Sequence, residues 1–214
     1  VADIGSAFMS FARRARVLLK HASRCFPLAI AALAMASSES AAAGSAWIKF
    51  CDNRAVRQAP ARKVCLTYHE RIQPATASII VAAALAQIDG ESPKSLLVFV
   101  QNAALPKGVN RAAGLRAAVY DKVQWDKAAR KEKIDESALK PFALKFVQCT
   151  QAGCTGRAEL NGARVVEMIE GAGLMILALS EAGRPIGFPV PLAGFGEAVM
   201  GEPMALASYD TNPQ

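Results

Sequence analysis

The sequence predicts an all-β fold, a sandwich or barrel-like single domain with one or two short helices and two disulfides. Three observations predict it. Short apolar and β-branched runs recur between Gly, Pro, Asn and Asp turn signals. Four of the five cysteines fall into two close pairs, Cys51 with Cys65 and Cys149 with Cys154. One short stretch, 163–169, carries a helical spacing, with Val165, Val166 and Ile169 on one face. At 214 residues the chain is long enough to bury a core unaided.

The first forty-odd residues read as a targeting segment rather than as fold. Arg13, Arg14, Arg16, Lys20 and Arg24 precede an apolar run of 11 residues, 26–36, and then small residues ending in Ala41, Ala42 and Ala43. Charged, apolar, small is the layout of a secretory signal peptide. Cleavage is expected after Ala43, with Ala36 as the alternative, and Met9 is a more natural initiator than Val1. The apolar run is about half of what a bilayer-spanning helix needs, which argues against a permanent membrane anchor. Cys25 precedes the run, whereas a lipidated cysteine would follow it. The product, residues 44–214, is therefore expected in the periplasm, secreted, or at the cell surface.

Residues 1–43 hold five Lys/Arg and two Asp/Glu. The remainder keeps 20 Lys/Arg against 16 Asp/Glu, a net charge of +4 where the whole chain has +7. Its one basic block, Lys127, Arg130, Lys131 and Lys133, reads as a solvated face, and nucleic acid is not an expected partner.

An even number of cysteines in an exported chain implies disulfides. Four cysteines allow three connectivities, among which sequence does not choose. Local pairing is the expectation because each pair flanks turn-forming residues. Neither pair is spaced C-x-x-C, so a thioredoxin-like site lacks its spacing. Separations of 14 and 5 residues are not those of a zinc knuckle either, so no metal and no cofactor are expected.

Taken in order, residues 47–51 alternate apolar and polar as a first strand, and Asp52 and Asn53 turn into a basic loop holding Pro60. Residues 64–68 form a second strand. His69 follows, the sole histidine after the leader, and is expected as a surface or edge side chain rather than a catalytic base. The run 77–88 is β-branched at its start and alanine-rich later. Helix propensity rises from Ala82, but Asp89 and Gly90 end the run with a turn, and a strand is the better reading. Residues 95–101 form a clear strand after Pro93. Turns at 105–109 and 113–115 lead to a strand over 115–123, and then an exposed loop or short helix over 124–136. Strands at 142–149 and 156–160 flank the Cys149–Cys154 turn. Asn161 and Gly162 are a further turn signal, and Gly171 and Gly173 end the short helix. A buried strand at 174–179 precedes an edge strand over 185–191, marked by Pro185, Pro189 and Pro191.

Four motifs in this order carry a family resemblance. They are Trp47-x-x-x-Cys51 with Cys65 soon after, the strand 95–101 leading into Leu105, Pro106 and Gly108, the hairpin Phe146-x-x-Cys149 with Gly153 and Cys154, and the closing Leu192-x-Gly194-Phe195-x-x-Ala198. Together they span roughly 47–200, and the chain resembles the invasion-associated locus B family of exported bacterial proteins. The resemblance implies a periplasmic or surface-associated β-rich domain, some of whose members are linked to host-cell entry. It brings no catalytic residues, and the four cysteines and the closing motif transfer as structural positions.

Three functions are compared on these residues. A non-catalytic envelope interaction module fits the disulfides, the many short strands and the scarcity of His or nucleophile motifs, its partner being an envelope or host protein. Leu192 and Phe195 are either its docking surface or core packing. A hydrolase would need a nucleophile and base, yet there is no G-x-S-x-G and only His69 to serve. Paired carboxylates among Asp121, Asp126, Asp135 and Glu136 are the other route. A periplasmic stress or chaperone-like protein would bind apolar segments at an open sheet edge.

Overall fold

A computed structural model of the chain describes residues 46–55, 61–102 and 108–204. The chain divides into two compact units, Val1–Gly44 and Ser45–Gln214. The expected leader, with Met9, Cys25, Ala36 and Ala43, lies outside the described residues, as do Pro60 and most of the turn at 105–109.

Nine strands build one sheet. They are β1 (Ile48–Ala55), β2 (Ala61–Gln73), β3 (Ser78–Ile88), β4 (Lys94–Gln101), β5 (Leu115–Tyr120), β6 (Phe142–Cys149), β7 (Gly153–Leu160), β8 (Gly173–Leu179) and β9 (Pro185–Pro191). Their order is β1-β2-β3-β4-β7-β6-β5-β8-β9, with every neighbouring pair antiparallel. The sheet curls so that β9 packs against β3 and β2, far away in strand order. The enclosed face holds the main core, including Val81, Leu96, Val98, Leu115, Ile176 and Phe188.

Three α-helices decorate the sheet where one or two were expected: α1 (Lys122–Ala129), α2 (Gly162–Glu170) and α3 (Phe195–Met200), with a 3-10 turn at Glu136–Ala138. The fifth strand ends at Tyr120 rather than at 123, because Asp121 caps α1. Its carboxylate accepts from the Gln124 amide at 2.7 Å while the Gln124 side chain accepts from the Asp121 amide at 3.2 Å, a reciprocal capping box. Asn161 likewise corrects the expected turn at 161–162. Its side chain accepts from the Arg164 amide at 2.9 Å and starts a helix. Helix α3 has no apolar periodicity long enough to read, and nothing in the sequence analysis anticipated it.

Burial decides the ambiguous third strand. Residues 81–86 of β3 are buried on both faces because β3 lies between β2 and β4 and inside the curl. A strand enclosed on both sides reads as a continuous apolar run, and tertiary burial overrides the modest helix preference of alanine. Trp125 of α1 rests on Gly173, where a Cβ would fall inside the indole ring, so glycine is what lets this helix approach β8.

Both disulfides are present with the local pairing, Cys51–Cys65 and Cys149–Cys154. In each pair the two cysteines are direct cross-strand partners with Cα atoms 4.1 Å apart. Antiparallel positions that do not exchange hydrogen bonds bring side chains this close. The first bridge ties edge strand β1 to the sheet across a 14-residue separation, and the second closes the β6–β7 hairpin across five.

Loop-closure entropy ranks the two bridges. The double variant Cys51→Ser/Cys65→Ser is expected to lose about 3 kcal/mol and Cys149→Ser/Cys154→Ser about 2 kcal/mol, read as urea midpoints at unchanged slope. The reverse order would show that the hairpin bridge, not the edge-strand bridge, holds the fold.

Candidate functional site

The densest set of unusual contacts lies where the two ends of the domain meet inside the curl. Trp47, just before β1, is 6% exposed, and its Nε1 donates to the carbonyl of Pro191 at the end of β9 at 2.8 Å. The Phe195 ring meets the indole edge-on, with centroids 4.8 Å apart and planes at 66°. His69 of β2 lies against the indole at 5.1 Å and 30°. This corrects the expectation for His69, which is 2% exposed. The strand is longer than the sequence indicated, Ala61–Gln73, and position 69 falls on its inner side beneath Trp47.

Around this aromatic cluster, long cations hold the closing segment. Lys49 Nζ donates to the carbonyls of Val199 at 3.0 Å and Gly201 at 2.9 Å, satisfying the open C-terminal end of α3. The Met204 amide returns to the Lys49 carbonyl at 2.7 Å. Arg71 donates to the Pro189 carbonyl at 3.3 Å. Leu192 and Phe195 are 2% and 0% exposed and lie in the core. The turn joining them needs Gly194, whose φ of +80° lies in the left-handed region.

The four acidic candidates are each held by local partners. Asp121 caps α1, Asp126 pairs with Lys122 at 3.0 Å, and Asp135 accepts from the Ser137 amide at 3.0 Å and hydroxyl at 2.6 Å. Glu136 begins the 3-10 turn, and its charge adds to burial in raising the Tyr120 hydroxyl above its ordinary value. A surface hollow of about 840 Å³ gathers Glu132, Asp135 and Glu136 with Lys127 and Lys133. There the Ser137 hydrogen bonds hold Asp135 below the usual carboxylate range, and the hydrogen bond from Arg130 does the same for Glu132. A general acid needs the opposite shift. A second cleft, about 610 Å³, lies between α1 and α2 over Val119, Lys140 and Arg164. Its Arg164 is engaged with Glu167 at 2.6 Å, with the Lys140 carbonyl at 3.1 Å and over the Phe142 ring at 4.9 Å. Its lining holds no Ser, Thr, Cys or His. Among the described residues no three His, Cys, Asp or Glu side chains gather as metal ligands, and no helix is long and apolar enough to cross a membrane.

The sequence profile described as invasion associated locus B (IalB) protein matches residues 47–203, more than half of the chain. The chain belongs to the IalB family. No curated protein sequence matches it. A crystal structure of invasion associated protein B from Bartonella henselae aligns at 15% identity with a TM-score of 0.48, covering 72% of this chain and 91% of that one.

In this IalB chain the first residue of the family match, Trp47, and the closing Leu192-x-Gly194-Phe195 are the two halves of one clasp. Sequence reasoning found both halves but not their meeting. It missed Lys49 and Arg71 altogether, whose signal was only that long cations alternate with apolar residues on strands expected to be half-buried.

The clasp predicts a graded series. Phe195→Ala is expected to cost about 3–5 kcal/mol as a large buried ring lost. Trp47→Phe, which keeps a ring but loses the donor to Pro191, should cost about 1 kcal/mol. Gly194→Ala should cost about 1 kcal/mol from the left-handed backbone alone. Chemical denaturation checks all three, and a Phe195→Ala loss below about 1 kcal/mol would remove the clasp from the stability argument.

Proposed function

We propose that this IalB protein is an exported, non-catalytic interaction module of the bacterial envelope, residing in the periplasm or at the cell surface after loss of residues 1–43. The observation that carries the reading is the pair of cross-strand disulfides within the family domain. Such bridges persist in oxidising compartments. The leader-like order of charges, apolar run and small residues at 1–43 supports it independently. The side chains that could have suggested chemistry have structural work instead: His69 is packed on Trp47, and the acidic candidates cap helices and turns or pair with lysine. The partner is a protein of the envelope or of a host cell. A second reading, a chaperone-like protein that binds apolar segments, is favoured by one observation: the outer face of β2–β4 is apolar as well as the inner one.

Intact mass of the protein recovered from its own cell, with and without reduction and alkylation, tests the reading. The expected result is a chain beginning near Gly44 that takes up four alkyl groups only after reduction. Free thiols on a chain still carrying residues 9–43 would overturn the envelope assignment.

A further inference from the structure

Side chains alternate between the faces of a strand, so the register of β2, β3 and β4 defines an outer surface opposite the core. Leu66 and Tyr68 of β2, Ala82, Ala84 and Ala86 of β3, and Leu97 and Phe99 of β4 share it. Leu66 pairs with Ala86, Tyr68 with Ala84, and across the other side Ala84 pairs with Leu97 and Ala82 with Phe99. All seven are between 0% and 6% exposed in the chain, so this is a face the molecule keeps from water. The described elements that cover the sheet do so from the other side. Val165 and Met168 of α2, Phe195 and Val199 of α3, and Phe188 and Val190 of β9 all belong to the inner core.

The relief of this face is that of a groove. Three alanines in line form the floor along β3, and larger side chains on β2 and β4 form the walls. Strands lie about 4.8 Å apart, so the walls stand about 10 Å apart, close to the diameter of an α-helix. Ala82 to Ala86 rises about 13 Å, matched by about nine residues of helix. The whole apolar footprint, about 20 Å by 15 Å, is about 300 Å², well below the roughly 800 Å² per partner of a stable protein–protein interface. A flat pairing of two copies is thus undersupplied, whereas one helix fits. Polar groups stand beyond the walls: Tyr68 donates its hydroxyl to Glu70, and on the adjoining β7 Arg157 donates to Ser95 at 3.1 Å and pairs with Glu159 at 3.5 Å.

We propose that the outer face of β2–β4 is a docking groove for one amphipathic α-helix of a partner protein, its apolar side on Ala82, Ala84 and Ala86 and its polar flanks toward Glu70 and Arg157. The proposal rests on the interaction-module reading and names its surface. It is the helix-in-groove mode of recognition, with anchors spaced three and four residues apart.

Two fluorescent peptides of identical Leu/Lys composition test it against the protein as its cell produces it. One has leucines at helical spacing and the other has them alternating as in a strand. The expected result by anisotropy is at least tenfold tighter binding of the helical peptide. Ala84→Gln should weaken that binding at least tenfold, and Val123→Gln on the exposed face of α1 should leave it unchanged. If Ala84→Gln loses its near-UV circular dichroism, Leu97→Ala, which removes a wall and leaves the floor, is read in its place with the same expectation. Equal affinity for both peptides, no saturable binding, or indifference to the groove variants would overturn the proposal. A dimer in sedimentation that Ala84→Gln dissolves would give the face to a second copy. Preferential binding of a peptide of residues 24–40 would give it to this chain's own segment. Either result also overturns the partner helix. The envelope reading stands or falls separately, on the intact mass.

Discussion

Closure of the curl depends on one buried contact, the Trp47 indole wedged between the Phe195 ring and the Pro191 carbonyl. An open antiparallel sheet of nine strands would leave β1 and β9 as edges and a wide apolar face in water. Curling the sheet brings β9 over β2 and β3, but twist alone does not fix where it stops. The clasp does, because the indole supplies both a large apolar body and a single directed donor. Lys49 adds specificity where aromatic packing has little. Its ammonium fills the carbonyl end of α3, so the closing helix can end only against β1.

The two faces of the sheet obey different packing rules. The inner side mixes branched and aromatic side chains of unequal size, which interdigitate across the curl. On the outer side of β3 the same strand shows only alanine, bounded by bulky neighbours on β2 and β4. A strand whose odd and even positions differ so much in volume has one face shaped to be filled by its own domain and another shaped like a channel. Both keep water out, and that is why the alanine-rich stretch remains a strand in spite of its helix propensity.

Much of this architecture was legible because it is written in short-range patterns. Pairs of cysteines beside turn residues gave both bridges, and the β-formers of residues 95–101 gave β4. Prolines at 185, 189 and 191 placed β9 at an edge, since proline cannot donate to a ladder. What stayed hidden depends on distance in sequence. The burial of His69 is set by a tryptophan 22 positions earlier and a phenylalanine that meets the same indole. Asp121 and Asn161 were ambiguous for another reason, as the residues that favour turns also favour helix N-caps, and a cap is recognised only once the helix behind it is known. For the clasp, the sequence held the parts and the fold held the geometry.

The clasp joins atoms 144 positions apart in the chain, from Trp47 to Pro191. A ribosome therefore finishes β1 long before it makes the residues that cap it. Through most of synthesis the indole has no partner, although the β1–β2 bridge partner is only 14 residues away. The domain is consequently assembled from a hairpin made early and a lid made last, and contacts of such long range make folding slow. A chain stopped short of residue 195 would retain most of its strands yet remain open at the seam. For this protein, completeness of translation and completeness of fold are the same event.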